Sequence, residues 1–125
     1  NTLPLNRAWI LLLGDEGAGS HHWLIDSAGL TQFGVWGGGQ VQPELSLGVW
    51  NHVVITHNGT FVRGYVNGFY FENDPATFNL QGIPLTLAKN YVGENFFNGT
   101  IDHVRIYNKS LNQEQVRFLY NNGRN

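Results

Sequence analysis

The chain has 125 residues, 42% of them apolar and 13% charged, with a formal net charge of -2. That length suits one packed domain with a sizeable core, and the composition excludes a disordered tail. Seven Lys and Arg against nine Asp and Glu leave no basic footprint for nucleic acid, and no apolar run approaches the length of a membrane span.

Cysteine is absent, which excludes a disulfide framework, a thiolate zinc site and a cysteine nucleophile. Sixteen glycines and 14% aromatic residues suit a chain of short strands joined by tight turns. In chain order, Trp9 to Gly14 reads as a first, buried strand, closed by the acidic and Gly-rich loop Asp15 to Ser20. His22 to Asp26 and Leu30 to Trp36 read as a hairpin turning at Ser27-Ala28-Gly29. Parity in the second of these puts Phe33 and Val35 on one face, with Gly34 and Trp36 on the other. Gly37 to Gly39 breaks that strand, and Val41 to Leu47 leads onward.

The centre of the chain carries the strongest local signal. Two β-branched and aromatic runs flank Asn58-Gly59, and Asn67-Gly68 precedes Phe69-Tyr70-Phe71. Asn-Gly is the dipeptide that tight hairpin turns need, so the stretch predicts a three-stranded meander. Alternation sends Val53 and Ile55 one way and Val54 and Thr56 the other; Val62 and Val66 oppose Arg63, Tyr65 and Asn67. Pro75 marks a loop within Glu72 to Thr77, Ile83 to Ala88 a further strand, Lys89 to Asn98 a polar and aromatic loop, and Gly99 to Tyr107 a last strand. One helix is predicted: Asn112 as N-cap, Gln115 completing a capping box, Val116, Leu119 and Tyr120 on one face, and Gly123 at the C-terminal cap, the whole packing on the sandwich edge. Many short strands with turns between them point to an all-β, two-sheet antiparallel jelly-roll sandwich with one short C-terminal helix.

Two blocks carry a family resemblance. Trp50-Asn51-His52-Val53-Val54-Ile55-Thr56, continued by Tyr65-Val66-Asn67-Gly68, resembles the centre of a laminin G-like, concanavalin A-like lectin domain. Phe97-Asn98-Gly99-Thr100-Ile101-Asp102-His103-Val104-Arg105-Ile106-Tyr107, running into a short helix with Leu119-Tyr120, resembles that family's closing signature. The resemblance implies a jelly roll spanning residues 1–125. It also implies that Trp50 is the family's core tryptophan and His52 a structural histidine. Asn1 to Ala8 holds too little for the extra strands with which such domains open. The chain is therefore expected to miss an N-terminal strand or to come from a larger protein.

The fold hosts many functions, so candidate residues must be weighed one by one. Glycosidases need two carboxylates facing each other across a groove, but Glu44, Glu72, Glu94 and Glu114 are isolated, and the side chains of Asp15 and Glu16 diverge. No G-x-S-x-G motif occurs either, which argues against an enzyme. A hard cation such as calcium takes oxygen ligands, and Asp15 and Asp102 are its candidate ligands. The plainer reading has Asp102 anchoring a turn or pairing with Arg105, and Asp15 solvated. No other cofactor is expected. His21-His22 is a poor chelating pair, because neighbours on a strand point apart.

Sugar recognition needs flat aromatic faces and planar polar groups. Trp36, ending its strand at a glycine run, is the lead candidate, with Tyr65 and Arg63 on an open sheet face and His22, Trp23 and Tyr91 at loop edges. Trp9 and Trp50 are read as core. Asn58, Asn98 and Asn108 each begin an N-x-[ST] sequon at a turn.

The leading functional expectation is a non-catalytic, lectin-like carbohydrate-binding module of an extracellular or cell-surface protein, its partner a glycan or polysaccharide. The alternative is a structural or adhesion domain that binds protein through rim loops or an exposed strand edge. A third, weaker option is an enzyme fragment.

Overall fold

The computed structural model describes residues 8–13, 21–25, 31–35, 40–75, 85–89 and 97–123. Eight strands and one helix occur there: β1 (Ala8–Leu13), β2 (His21–Ile25), β3 (Thr31–Val35), β4 (Gln40–Val41), β5 (Val53–His57), β6 (Phe61–Val66), β7 (Phe69–Pro75), β8 (Leu85–Leu87) and α1 (Gln113–Asn122). They form a five-stranded sheet, ordered β4-β3-β2-β1-β8, and a three-stranded sheet, ordered β5-β6-β7. Every pairing is antiparallel.

The two sheets are joined by a core whose members alternate along their strands. Phe33, Val35 and Val41 of the larger sheet and Val62 of the smaller are fully buried together, with Trp23, Val53 and Ile55 packed against them. Trp23, Phe33 and Val41 are direct cross-strand neighbours, so they share the inner face. Gly64 lies beneath them; a Cβ there would stand 3.0 Å from Val41 Cγ2. Each such aromatic or aliphatic side chain contributes about 1.5–3 kcal/mol by leaving water.

The meander forms as its turn chemistry dictates. Asn67 and Gly68 both adopt positive φ, 51° and 83°, as a type I′ turn requires. A bulge sets β7 apart from β6: Gly64 pairs with Glu72 but Tyr65 pairs with Tyr70, so Phe71 is the extra residue. The outer face of this sheet is covered in part. Tyr65, Leu111 and Val116 bury one another there, with Val54 and Leu119 against them.

Helix α1 begins with the predicted capping box, the Asn112 side chain accepting from Gln115 N–H while the Gln115 side chain accepts from Asn112 N–H. It ends at Gly123, whose N–H donates to Leu119 C=O at 2.9 Å. The helix is tied to the meander as well as packed on it. Gln113 Nε2 donates to Gly68 C=O at 2.6 Å, and Gln113 Oε1 accepts from Tyr70 N–H at 2.8 Å. The helix thus lies over the sheet's outer face at the Asn67-Gly68 end, not merely on an edge.

One expected strand is not formed. Among the described residues, 99–107 make no sheet ladder, and Val104, Ile106 and Tyr107 are exposed. The cause is local. Asp102 Oδ1 accepts from His103 N–H at 2.7 Å, and His103 takes φ 52°, a left-handed conformation that breaks strand alternation.

Candidate functional site

The residues singled out from the sequence do not converge. His22 is fully buried within β2 rather than standing at a rim. It shares its strand face with Leu24, also buried, opposite to Trp23. Trp23 is no loop-edge residue either. It is half-buried, edge-on to Phe33 at 5.1 Å between ring centroids, and its buried Nε1 has no hydrogen-bond partner among the described residues. Tyr65 keeps the parity read from the sequence but is only 3% exposed, because α1 and Leu111 cover its face. Arg63, two residues away, is exposed. Trp36, Tyr91 and Asp15 lie outside the described residues, as does the Trp9 side chain.

Asp102 is exposed, pairs with His103 across 3.8 Å and caps its own turn. The plainer reading thus describes its contacts, with His103 in the place of Arg105. Among the described residues no group of three or more His, Cys, Asp or Glu could hold a metal ion. All three sequon asparagines are exposed.

A different residue presents itself. Trp50, expected in the core, is 67% exposed, and Leu47 and Val49 before it are also exposed. The loop that carries them is pinned by Asn51. Its Oδ1 accepts from Ser46 N–H at 3.3 Å, while its Nδ2 donates to Ser46 C=O at 2.8 Å and to Val49 C=O at 3.1 Å. Gly48, at φ 76° with open space around it, lets the chain reverse between these anchors. On the other side of Trp50, His52 N–H donates to Asn67 Oδ1 at 2.9 Å and His52 C=O accepts from Asn67 N–H at 2.8 Å. The backbone on both sides of Trp50 is therefore pinned, while its indole stays largely exposed. A flat apolar face with one N–H donor, carried on a braced loop, can stack on an apolar ligand face without the cost of ordering that loop.

His52 itself is half-buried. Its ring lies 5.7 Å from that of Tyr120, and its buried Nδ1 has no partner among the described residues. Burial, followed by the nearby Arg105 guanidinium, holds its pKa below the ordinary value of 6.5. It is a structural group, as the resemblance implies. The sequence signal for Trp50 was the turn Ser46-Leu47-Gly48 ahead of it. That turn leaves Trp50 three residues short of the first ladder position, Val53, and so free of the sheet's alternation.

Comparison with known proteins agrees with this architecture. A family model described as the concanavalin A-like lectin/glucanases superfamily, laminin G type, matches residues 2–117. No curated protein matches. Among solved structures, an S-layer domain-containing protein from Clostridium thermocellum (residues 221–444) aligns with a TM-score of 0.52 at 19% identity. The alignment covers 82% of this chain and 57% of that one, so this chain spans little more than half of that structure. Two antiparallel sheets sharing one core, the capped helix and the family match lead to one assignment: the chain belongs to the laminin G-like family of the concanavalin A-like lectin/glucanase superfamily.

Proposed function

We propose that this domain is a non-catalytic carbohydrate-binding module of an extracellular or surface protein, with Trp50 as its aromatic platform. The observation that carries the reading is a tryptophan two-thirds exposed on a loop braced from both sides. The apolar C–H face of a pyranose stacks on such an indole, and the rigid backbone avoids the ordering cost of a mobile loop. The superfamily's description names lectins and glucanases alike. The lectin side is favoured by the exposed indole, a stacking surface, and by the solvent exposure of Glu44, Asp102 and Glu114. Hydrolysis requires a facing carboxylate pair. The S-layer description of the structural neighbour fits a surface setting.

A glycan array probed with the domain in calcium and again in EDTA tests the proposal. Binding that survives EDTA and falls at least about tenfold (~1.4 kcal/mol) in Trp50→Ala supports it. Binding unaffected by Trp50→Ala moves the platform elsewhere, with Trp36 next. Binding abolished by EDTA brings Asp15 and Asp102 forward as calcium ligands. An array with no hits overturns the proposal.

One observation favours a second reading, a protein-binding adhesion domain. Val104, Ile106 and Tyr107 are exposed on a stretch that joins no sheet. Loss of self-association or of a partner in Ile106→Lys would favour this reading, and strictly monomeric behaviour at high concentration would count against it.

A further inference from the structure

The tip of the β5–β6 hairpin holds a set of contacts that close the turn and that sugar binding does not use. Gly59 N–H donates to His57 Nδ1 at 3.0 Å. Asn58 Oδ1 accepts two hydrogen bonds, from Thr60 N–H at 3.0 Å and from Phe61 N–H at 2.8 Å. Asn58, Gly59 and Thr60 are exposed, and nothing stands within 4 Å of a Cβ built on Gly59. His57 can accept this bond only with its own proton on Nε2, which leaves Nδ1 as a base on the glycine amide.

An asparagine side chain can be attacked by the backbone nitrogen of the residue that follows it, closing a five-membered succinimide. Glycine is the residue that hinders this attack least. At Asn58-Gly59 the groups that such a closure needs are assembled. The nucleophile, Gly59 N, has a base on its proton. The electrophile, Asn58 Cγ, has two N–H donors on the oxygen where negative charge develops.

The geometry points to a self-modifying site: Asn58-Gly59 deamidates with His57 as general base and the Thr60 and Phe61 amides as oxyanion donors. His57 Nδ1 takes the Gly59 amide proton as Gly59 N bonds to Asn58 Cγ, and the charge on Oδ1 is held by the two N–H groups. The bond from Cγ to the amide nitrogen then breaks, and ammonia leaves with the proton that His57 returns. Water opens the succinimide at either carbonyl to give aspartate or isoaspartate. One water is consumed, one ammonia is released, and nothing is oxidised or reduced.

Three other Asn-Gly pairs serve as controls within the chain. Asn67 has its Oδ1 bound to His52 N–H, and Gly68 is buried under Tyr120. Asn122 spends its side-chain amide on Phe118 C=O at the end of α1. Asn98-Gly99 is exposed and serves as the reference for ordinary reactivity. The isoaspartate product inserts an extra backbone atom and a negative charge at the tip, beside the last rung, His57 with Val62. Conversion therefore loosens the meander from that end with time, and it removes the Asn58 sequon.

Peptide mapping by mass spectrometry of the intact domain, incubated folded and in denaturing urea, tests the site. In the folded domain Asn58 should convert at least about tenfold faster than Asn98, a floor below the roughly 100-fold or more that a well-placed general base supplies. Unfolding in urea should remove that advantage. In His57→Gln, checked for native circular dichroism, Asn58 should fall to the Asn98 rate. The proposal is overturned if Asn58 converts no faster than Asn98 in the folded wild type. It is equally overturned if unfolding or His57→Gln leaves its relative rate unchanged.

Discussion

Gly68→Ala is the sharpest test of how α1 is seated. Gly68 combines a left-handed backbone, φ 83°, with close approach of the helix: a Cβ there would lie 2.8 Å from Tyr120 Cδ1 and 3.2 Å from both Cβ and Cγ of the same residue. Those atoms are the root of the Tyr120 side chain, so rotating the ring does not clear them. The left-handed conformation costs alanine about 1–2 kcal/mol. Overpacking against a seated side chain adds about 1–3 kcal/mol, for a total of about 2–5 kcal/mol. Gly59→Ala is the matched control. It has φ 96° but no neighbour within 4 Å, so it should lose the conformational part alone, about 1–2 kcal/mol. Urea unfolding measures both, as midpoint shifts at unchanged slope. Pairing Gly68→Ala with Tyr120→Ala completes a cycle whose coupling should be about 1–3 kcal/mol. Equal losses in the two glycine variants, or a coupling near zero, would refute the claim that the helix sits on the Asn67-Gly68 turn.

Other outcomes follow from single residues. Thr56 is 6% exposed and its Oγ1 finds no partner among the described residues, so Thr56→Val should stabilise the domain by about 1 kcal/mol in the same assay. Asn112→Ala removes the acceptor for Gln115 N–H and should cost about 1 kcal/mol, with helix content falling in circular dichroism and no change in glycan binding. His52 has its pKa lowered by burial and then by Arg105, so the unfolded chain holds its proton more tightly than the native one. Stability from the neutral ring is complete above pH 6.5 and is lost as pH falls through the lower native pKa. His52→Gln should flatten that part of the pH–stability curve, and an unchanged slope would remove His52 as its source.

The parts of this fold that could be read from the sequence are those decided within a few residues. Asn58-Gly59 and Asn67-Gly68 specify turns by their own conformational preferences, and the Asn112 cap needs only Gln115 three positions on. Alternation likewise put Phe33 with Val35 on one face and Val62 opposite Arg63, and those faces are the ones buried in the core. What failed depended on distant cover. Tyr65 was put on the correct face, yet α1 closes over that face from a segment far along the chain. His22 and Trp50 exchanged their expected surroundings for a related reason. Residues beside a turn do not reveal whether they lie inside the ladder, as His22 does, or before it, as Trp50 does. The segment 99–107 has the composition of a strand, but the Asp102 side chain offers the backbone of His103 a local alternative that alternation does not register.

The central claim, that an exposed indole on a pinned loop makes this sandwich a glycan-binding module, is tested most directly by the tryptophan indole signals in an NMR titration. The chain has four tryptophans, so single Trp→Phe variants assign each Nε1–H resonance. Adding the strongest hit of the glycan array should move the Trp50 signal saturably, leave the core indole of Trp23 in place, and have no comparable effect once Trp50 is alanine. Saturable shifts confined to the other indoles, with Trp50 unmoved, would contradict the account.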